Sequence, residues 1–477
     1  MLPLLLHLIG LIYATSSWTG KIANYPNTAL CIWVIISIIL FFVALPIYVN
    51  KKRKAYDENK ILELPNFTKT LNCFEWGIVA WISLLQATVD PANIIFPSYK
   101  ETIEQTLPMI ISLSVYLILF KIAMKEFYRL EQPILDPEQT SQDFFRARLT
   151  PVILVTPPII LWLLIEDITK GNLKIIHELT LIAYAPLFFI LLFTISPRLF
   201  NWAWKSEDSE LENLNKEIFL LSEKTQTPIG GIKIWNTFGE PVANAAVAGL
   251  SKKYRYVYIT KYMTELFSEE QIKAVVGHEL GHLKLGHIKT YVLYSIMAIL
   301  LILLYRIIVY LYFPQFDIEN FWYSLIEGII FVFLFLSSFT ALSRYSEHQS
   351  DLFSSINTNK DKFIETLTII DTTTEKKSLL PDWLMLHPTN QKRIQKILEL
   401  SEINNTKLLQ QAQYIRYAMF AMILVLILSS WQIGKPIKQI HSLYKAVQAG
   451  NAQLIDKLFN SMPEWLRKHP EVLKLKT

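Results

Sequence analysis

The sequence predicts a mainly α-helical, multi-pass membrane protein whose bundle of membrane helices is interrupted by a small cytoplasmic α+β domain. Two observations predict this fold class. Apolar residues are gathered into long uncharged runs that end at Lys or Arg, and a charged stretch over residues 199–290 contains short runs of period-2 character. The 477-residue chain is 52% hydrophobic with a mean hydropathy of +0.30, which argues against two or three soluble domains of ordinary composition.

Net charge and cysteine content exclude some function classes. The net charge is only +5, and Lys and Arg mostly flank apolar runs, so nothing indicates a nucleic-acid partner. The two cysteines, Cys31 and Cys73, do not form a metal-type pair and are too few to staple a large fold. A reducing compartment is compatible with this content.

Residues 1–198 are predicted to form an N-terminal membrane region of about five or six spans. Residues 1–20 are apolar without Lys or Arg, which favours a retained first membrane segment over the alternative of a cleaved signal. Each later run could cross a hydrocarbon core of about 30 Å. These runs cover residues 28–50, 76–97, 105–120, 149–165 and 179–197. Basic residues recur at alternate ends, so the positive-inside rule puts the chain after Pro197 in the cytoplasm.

Residues 199–290 are predicted to form the first part of the inserted domain. Residues 206–224 are charged with apolar residues at helical spacing, and three short runs then read as strands: 231–235, 242–247 and 254–260. Ser268 and Gln271 have the spacing of a capping box, so a helix should begin near Glu269.

Three further candidate membrane segments and a helical tail complete the predicted organisation. Runs at 291–314, interrupted by Arg306, and at 328–343 would form a membrane hairpin within residues 291–343. Residues 344–410 would return to the cytoplasm as the second part of the domain. Residues 417–434 are a last candidate span, and 435–477 form a basic, amphipathic, helical tail.

The helix that begins near Glu269 carries a His-Glu-x-x-His motif. On a helix, His278 and His282 lie four residues apart on one face, so both imidazoles can reach one Zn²⁺. Glu279 lies beside them and can handle the proton of an attacking water.

A zinc site of this kind needs a third protein ligand. His287 follows His278 by nine residues, so at about 100° per residue it should fall on the opposite face of a continuous helix, and we expect it to pack or to support a ligand. Glu347 is the better candidate, because Asp351 follows it by one helical turn. One carboxylate could bind the metal while the other orients a ligating histidine. A solvated charged face is the alternative.

These motifs resemble those of a known family. The eleven residues from Gly277 to His287, GHELGHLKLGH, strongly resemble the zinc helix of peptidase family M48, in particular its CAAX prenyl protease 1 branch. The bacterial HtpX branch is similar but usually lacks the closing histidine. Residues 347–351 match the family's Glu-x-x-x-Asp motif, 241–245 are similar to its Asn-Ala stretch, and 387–394 resemble its His-Pro-x-x-x-x-Arg motif. The resemblance covers residues 206–400.

The resemblance implies a gluzincin-type α+β zinc peptidase domain that binds one zinc ion per chain through His278, His282 and Glu347, with Glu279 as general base. Asp351 would support a ligand from behind. His387 and Arg393 would lie near the site, where His387 could donate to the developing oxyanion or could instead have a core or capping role. Asn244 could hold the substrate backbone or could merely end a turn before a strand.

Two other classes of protein are compatible with the His-Glu-x-x-His motif and the membrane segments. A site-2-protease type also joins His-Glu-x-x-His to membrane spans, but it needs an Asp-Gly motif, which this sequence lacks. A non-catalytic scaffold or transporter with a structural zinc could use the charged residues in or near the apolar runs. These are Asp90, Glu166, Asp167, Arg306 and Glu327. For a peptidase, the expected partners are the lipid bilayer and membrane-associated, misfolded or CAAX-type protein substrates.

Overall fold

The protein is a mainly α-helical, multi-pass membrane protein, as the sequence predicts. The computed structural model describes residues 26–59, 74–96 with gaps at 76, 83, 86–91, 93 and 95, and then 103–131, 140–169, 194–237, 242–249, 251–314, 321–373, 387–399 and 405–476. Within these ranges five helices are long and apolar enough to cross a membrane: Leu30–Lys54, Thr106–Leu130, His287–Tyr312, Ile326–Asn357 and Thr406–Ile433.

The N-terminal region packs its helices around one apolar core. Helix α1 (Pro26–Ile38) continues through a π-helical segment (Ile39–Ala44) into α2 (Leu45–Asn59), and α3 (Thr106–Glu131) and α4 (Ser141–Thr169) follow. Their core includes the fully buried Phe120 and Phe127. The Asp167 carboxylate accepts the backbone N–H groups of Gln105 and Thr106 at 2.9 and 3.0 Å, so it caps α3.

The structure describes only part of the membrane spans that the sequence predicts for residues 1–198. The runs at 28–50 and 105–120 lie in membrane-length helices, and 149–165 lies within α4, which is not among the five helices above. The described residues of the run at 76–97 are helical except Phe96. Residues 1–20, Asp90 and most of 179–197 lie outside the described residues.

A four-stranded mixed sheet forms the β part of the inserted domain. Its strands are β1 (Glu207–Asp208), β2 (Gly231–Trp235), β3 (Ala245–Ala248) and β4 (Tyr256–Thr260). The order is β1-β2-β4-β3, with β2 and β4 parallel and the outer strands antiparallel to their neighbours. The sequence predicts the last three strands, although β3 begins three residues later than expected, and it misses the two-residue β1.

Helices pack on this sheet and build the core that holds the site. They are α5 (Glu212–Lys224), the short α6 (Lys261–Leu266) and α7 (Glu269–Leu285). Val257 and Ile259 of β4 are fully buried in one apolar cluster with residues of α5, α7 and the later membrane helix α9. Burial of the sheet against α7 fixes where that helix lies relative to β3.

The chain after α7 makes two long helices that leave the domain and return. Helix α8 (His287–Tyr312) starts directly after Gly286, and α9 (Phe321–Asn357) is continuous over 37 residues. The predicted hairpin span and the segment that carries Glu347 therefore belong to a single helix. Helices α10 (Lys360–Thr373) and α11 (Asn390–Glu399) pack beside the C-terminal part of α9.

The last membrane helix links the domain to a helical tail. Helix α12 (Asn405–Ile433) begins in the domain core, where Leu408 and Ala412 are buried, and runs along α8. The tail helices are α13 (Lys435–Gln448), α14 (Ala452–Ser461), α15 (Glu464–Arg467) and α16 (Pro470–Lys476). They bury an apolar cluster against Ile307 and Leu311. At 1.5 Å per residue α8 is about 39 Å long, so this tail cluster lies a membrane thickness from the start of α8.

Glycines on α7 let it approach α9 closely. A Cβ built on Gly281 would lie 3.1 Å from the Cα of Ser350 and 3.1 Å from a ring carbon of Phe353. A Cβ on Gly277 would lie 2.7 Å from a methyl carbon of Thr358. The contact at Gly281 is partly with backbone, which cannot swing away as a flexible side chain can.

We therefore expect Gly281→Ala to destabilise the domain by about 1–3 kcal/mol, because the added methyl group overpacks the interface between α7 and α9. The measurement is the thermal unfolding midpoint of the detergent-solubilised full chain. Gly328→Ala is the matched control, since Gly328 lies on α9 with nothing within 4 Å of a built Cβ. A midpoint unchanged in Gly281→Ala would contradict the close approach.

Candidate metal centre

The candidate centre is built on α7, whose ends are fixed by local sequence. Ser268 is the N-cap and forms the predicted capping box: its hydroxyl accepts the Gln271 backbone N–H, and the Gln271 side-chain oxygen accepts the Ser268 backbone N–H at 3.0 Å. Gly286 ends the helix in the left-handed conformation, with φ of +70°. Between these caps the helix carries the His-Glu-x-x-His motif.

Three side chains converge on one point beside α7. The Nε2 atoms of His278 and His282 are 3.1 Å apart. The Glu347 carboxylate from α9 lies 3.5 Å from the first and 3.3 Å from the second. Among the described residues this is the His/Cys/Asp/Glu group that could hold a metal ion, with ligand atoms all within 4.8 Å of one another. The structure thus brings together the three residues that the sequence nominated as ligands.

The spacing of these atoms fits a tetrahedral zinc site. Ligands at about 2.0–2.1 Å from a tetrahedral zinc ion are about 3.3 Å from one another. The two Nε2 atoms are 3.1 Å apart, and each lies 3.5 or 3.3 Å from a different oxygen of Glu347, so all three separations are close to that value. Two imidazoles and one carboxylate are also the donor set of many catalytic zinc sites, which leave a fourth position open.

Asp351 and Arg393 hold His278 from behind. The Nδ1 of His278 is 2.8 Å from the Asp351 carboxylate, so its N–H donates there and Nε2 is the nitrogen that faces the site. Arg393 of α11 donates to both oxygens of Asp351, with contacts of 2.6 and 2.9 Å. The structure thus brings Asp351 and Arg393 together beside His278, and their supporting roles stay predictions.

The charge around the centre favours a cation. Burial lowers the pKa of His278, but its hydrogen bonds to Asp351 and Glu347 raise it by more, to about 9. Asp351 and Glu347 are 1% and 3% exposed, and Arg393 is the guanidinium that pairs with Asp351. Within the described part of the chain the carboxylates of Glu279, Glu347 and Asp351 outnumber the guanidinium of Arg393, so the site attracts positive charge.

Glu279 lies next to His278 on α7 and is half-buried. Among the described residues its carboxylate makes no side-chain hydrogen bond or ion pair, unlike those of Glu347 and Asp351, although its charge interacts with that of Arg393. A carboxylate without a fixed partner at this place is able to accept a proton from water.

His387 and Asn244 lie at the exposed side of the domain. The Nδ1 of His387 is 2.9 Å from a Glu347 oxygen, while 70% of the His387 side chain is exposed. Asn244 precedes β3, and its backbone pairs with Thr260: the Asn244 N–H donates to the Thr260 hydroxyl and its carbonyl accepts the Thr260 N–H, both at 3.0 Å. The Asn244 side chain is exposed.

His287 does not lie on the opposite face of the helix, because the helix does not continue to it. The left-handed turn at Gly286 starts α8, and the His287 ring comes back beside α7, with its Nδ1 2.9 Å from the Nδ1 of His282. The predicted position of His287 is therefore wrong, because it assumed one continuous helix. The contact with His282 is compatible with the expected role of supporting a ligand.

Sequence reasoning missed two residues that contact the site's framework. Gln349 lies 3.1 Å from the Nε2 of His287, and Arg416 of α12 donates to the Leu285 carbonyl at the end of α7. Neither residue belongs to a recognisable motif. Gln349 could have been found only by its place between Glu347 and Asp351.

Comparisons with known proteins give a family match to part of the chain and matches to solved structures. Residues 212–401 match the model of peptidase family M48. No curated protein matches the sequence. Eight chains of solved structures match. One is the crystal structure of S. mikatae Ste24p, at 14% sequence identity and a TM-score of 0.48, over 77% of this chain and 98% of that chain.

The family match spans all three candidate ligands, Glu279 and the pair that holds His278 from behind. The membrane helices His287–Tyr312 and Ile326–Asn357 also lie within it. Residues 212–401 thus resemble the metallopeptidases of family M48 in the part of the chain that carries the candidate metal centre.

Proposed function

We propose that this chain is a zinc-dependent endopeptidase that cleaves membrane-associated proteins from the cytoplasmic side. The observation that carries the proposal is the triangle of His278, His282 and Glu347, with Glu279 beside it and unpaired among the described residues. A structural zinc site would close the fourth position with another protein ligand. Here the next carboxylate, Asp351, is engaged by His278 and Arg393 instead.

The chemistry divides between the metal and the side chains. A bound zinc ion would lower the pKa of a coordinated water toward about 7 and polarise the scissile carbonyl. Glu279 would take the proton from the attacking water and then deliver it to the leaving amine. His387 would hydrogen-bond the developing oxyanion through its second ring nitrogen, because Nδ1 already contacts Glu347.

The free edge of the sheet would bind the substrate backbone. Strand β3 pairs with β4 on one side and is the last strand in the sheet order. It also packs against α7, so a peptide added along β3 would pass beside the metal. Asn244, exposed at the start of β3, would hold the backbone of that peptide.

The basic ends of the membrane helices support a cytoplasmic site. Helix α3 carries Arg129 in its last turn and ends at Glu131, and α4 begins ten residues after that end, at Ser141. Near its start, Asp143 pairs with Lys205 at 2.6 Å, and Lys205 directly precedes the region of β1. This contact supports a shared side for the basic end of α3 and the peptidase domain, and the positive-inside rule would assign that side to the cytoplasm.

The substrate class follows from the family resemblance together with the membrane setting. Substrates would be membrane-associated, misfolded or CAAX-type proteins. A model peptide assayed with and without a prenyl group at its C-terminal cysteine separates these classes.

We expect Glu279→Gln to keep one zinc ion per chain but to lower peptide cleavage by about 10²-fold or more, because the amide cannot accept the proton of the attacking water. Zinc content by elemental analysis and cleavage of a quenched fluorescent peptide are the two measurements. Glu270→Gln is the control, since Glu270 is exposed in the first turn of the same helix. Wild-type cleavage by Glu279→Gln would refute the assignment of the base.

The predicted orientation is tested by labelling from one side of the membrane. In a chain without Cys31 and Cys73, we expect a membrane-impermeant maleimide to label Lys457→Cys on intact cells but Lys253→Cys only after permeabilisation. Both lysines are exposed, one in the tail and one in the peptidase domain. The opposite labelling pattern would place the site outside the cytoplasm.

A further inference from the structure

We propose that His287 and Gln349 form a neutral hydrogen-bond relay that holds His282 in the tautomer able to bind a metal. The inference rests on the proposed role of His282 as a ligand. His287 and Gln349 would be positioning residues, since they act through His282.

The two ring nitrogens of His282 face different partners. Its Nε2 lies 3.1 Å from the Nε2 of His278 and 3.3 Å from Glu347, at the candidate centre. Its Nδ1 lies 2.9 Å from the Nδ1 of His287. A neutral imidazole carries one N–H, and metal binding requires the lone pair at Nε2. The N–H must then be at Nδ1 and must donate to His287.

The remaining hydrogen bonds of the relay are consistent with donation from His282 to His287 and then from His287 to Gln349. If the Nδ1 of His287 accepts, its Nε2 carries the N–H, and this atom lies 3.1 Å from the side-chain oxygen of Gln349. The Gln349 amide N–H in turn donates to the Tyr345 hydroxyl at 3.2 Å. The Ser350 hydroxyl, 3.4 Å from the Nδ1 of His287, is placed to donate to the same lone pair.

The reverse direction would prevent metal binding. An N–H at Nδ1 of His287 would donate to His282 and move the His282 proton to Nε2, toward the centre. The Nε2 of His287 would then carry a lone pair that faces the Gln349 oxygen, so the Gln349 amide would have to rotate to restore a hydrogen bond. The orientation of the Gln349 amide therefore decides which nitrogen of His282 is available.

Burial makes this relay effective. His287 is 2% and Gln349 4% exposed. If either side chain lost its hydrogen-bond partner, water could not easily take that partner's place. The two ligating histidines thus differ: His278 is held by the charged Asp351, and His282 by a neutral chain. The neutral chain orients the second imidazole without adding another carboxylate to an already acidic site.

The test compares Gln349→Leu with Gln349→Glu in the detergent-solubilised full chain. Zinc affinity is measured by competition with a chromophoric chelator, and the visible absorption of the Co²⁺-loaded protein reports the ligand geometry. We expect Gln349→Leu to weaken zinc binding about tenfold to a hundredfold, because the N–H of His287 loses its acceptor. Gln349→Glu keeps an acceptor there and should bind zinc at least as tightly as the wild type.

Controls separate a relay from simple packing. Gln395→Leu, at an exposed position on α11, should leave zinc affinity unchanged. Melting of each variant in chelator reports folding without metal. If Gln349→Leu does not fold, Tyr345→Phe takes its place, since it removes the partner that fixes the amide, and it should also weaken zinc binding.

Three results would overturn the relay: wild-type zinc affinity in Gln349→Leu, equal weakening in Gln349→Leu and Gln349→Glu, or unchanged affinity in Tyr345→Phe when that variant replaces Gln349→Leu. The proposed function fails differently, through a wild-type chain that binds no zinc or that binds zinc without cleaving peptide.

Discussion

The close approach of α7 and α9 is the constraint on which the centre depends. Packed helices ordinarily lie about 8–10 Å apart, at a distance set by the side chains between them. Gly277 and Gly281 remove those side chains from one face of α7, and the Ser354 hydroxyl donates to the Ala274 carbonyl at 2.6 Å across the interface. This contact lets a glutamate from one helix reach two histidines on the other.

The same contact explains why the ligands can be charged and buried together. Removing a carboxylate from water costs several kcal/mol unless partners compensate for it. Glu347 and Asp351 lie one helical turn apart on α9, so both face the imidazoles of α7, and Asp351 also pairs with Arg393 of α11. A metal ion would add the remaining positive charge. The excess of carboxylates at the centre would thus be neutralised by a bound cation, whereas carboxylates on a solvated surface would be solvated by water and screened by salt.

Local rules in the sequence predict much of this structure, and contacts distant in sequence account for what they miss. The capping box at Ser268, the bounds of β2 and the approach of Glu347 all follow from spacing or from hairpin order. The predicted position of His287 is wrong because Gly286 adopts a left-handed backbone conformation, which ends α7 before His287. Gln349 carries no pattern, since its role depends on a ring that a different helix supplies.

The turn at Gly286 is also supported by a part of the chain that the family match leaves out. Helix α12 begins after residue 401, where that match ends, and its Arg416 donates to the Leu285 carbonyl. This carbonyl is one of the last four of α7, which lack partners within their own helix. A guanidinium at a helix C-terminus also interacts favourably with the helix dipole. Because the turn sends His287 back toward His282, α12 contributes to the geometry of the centre without lying in it.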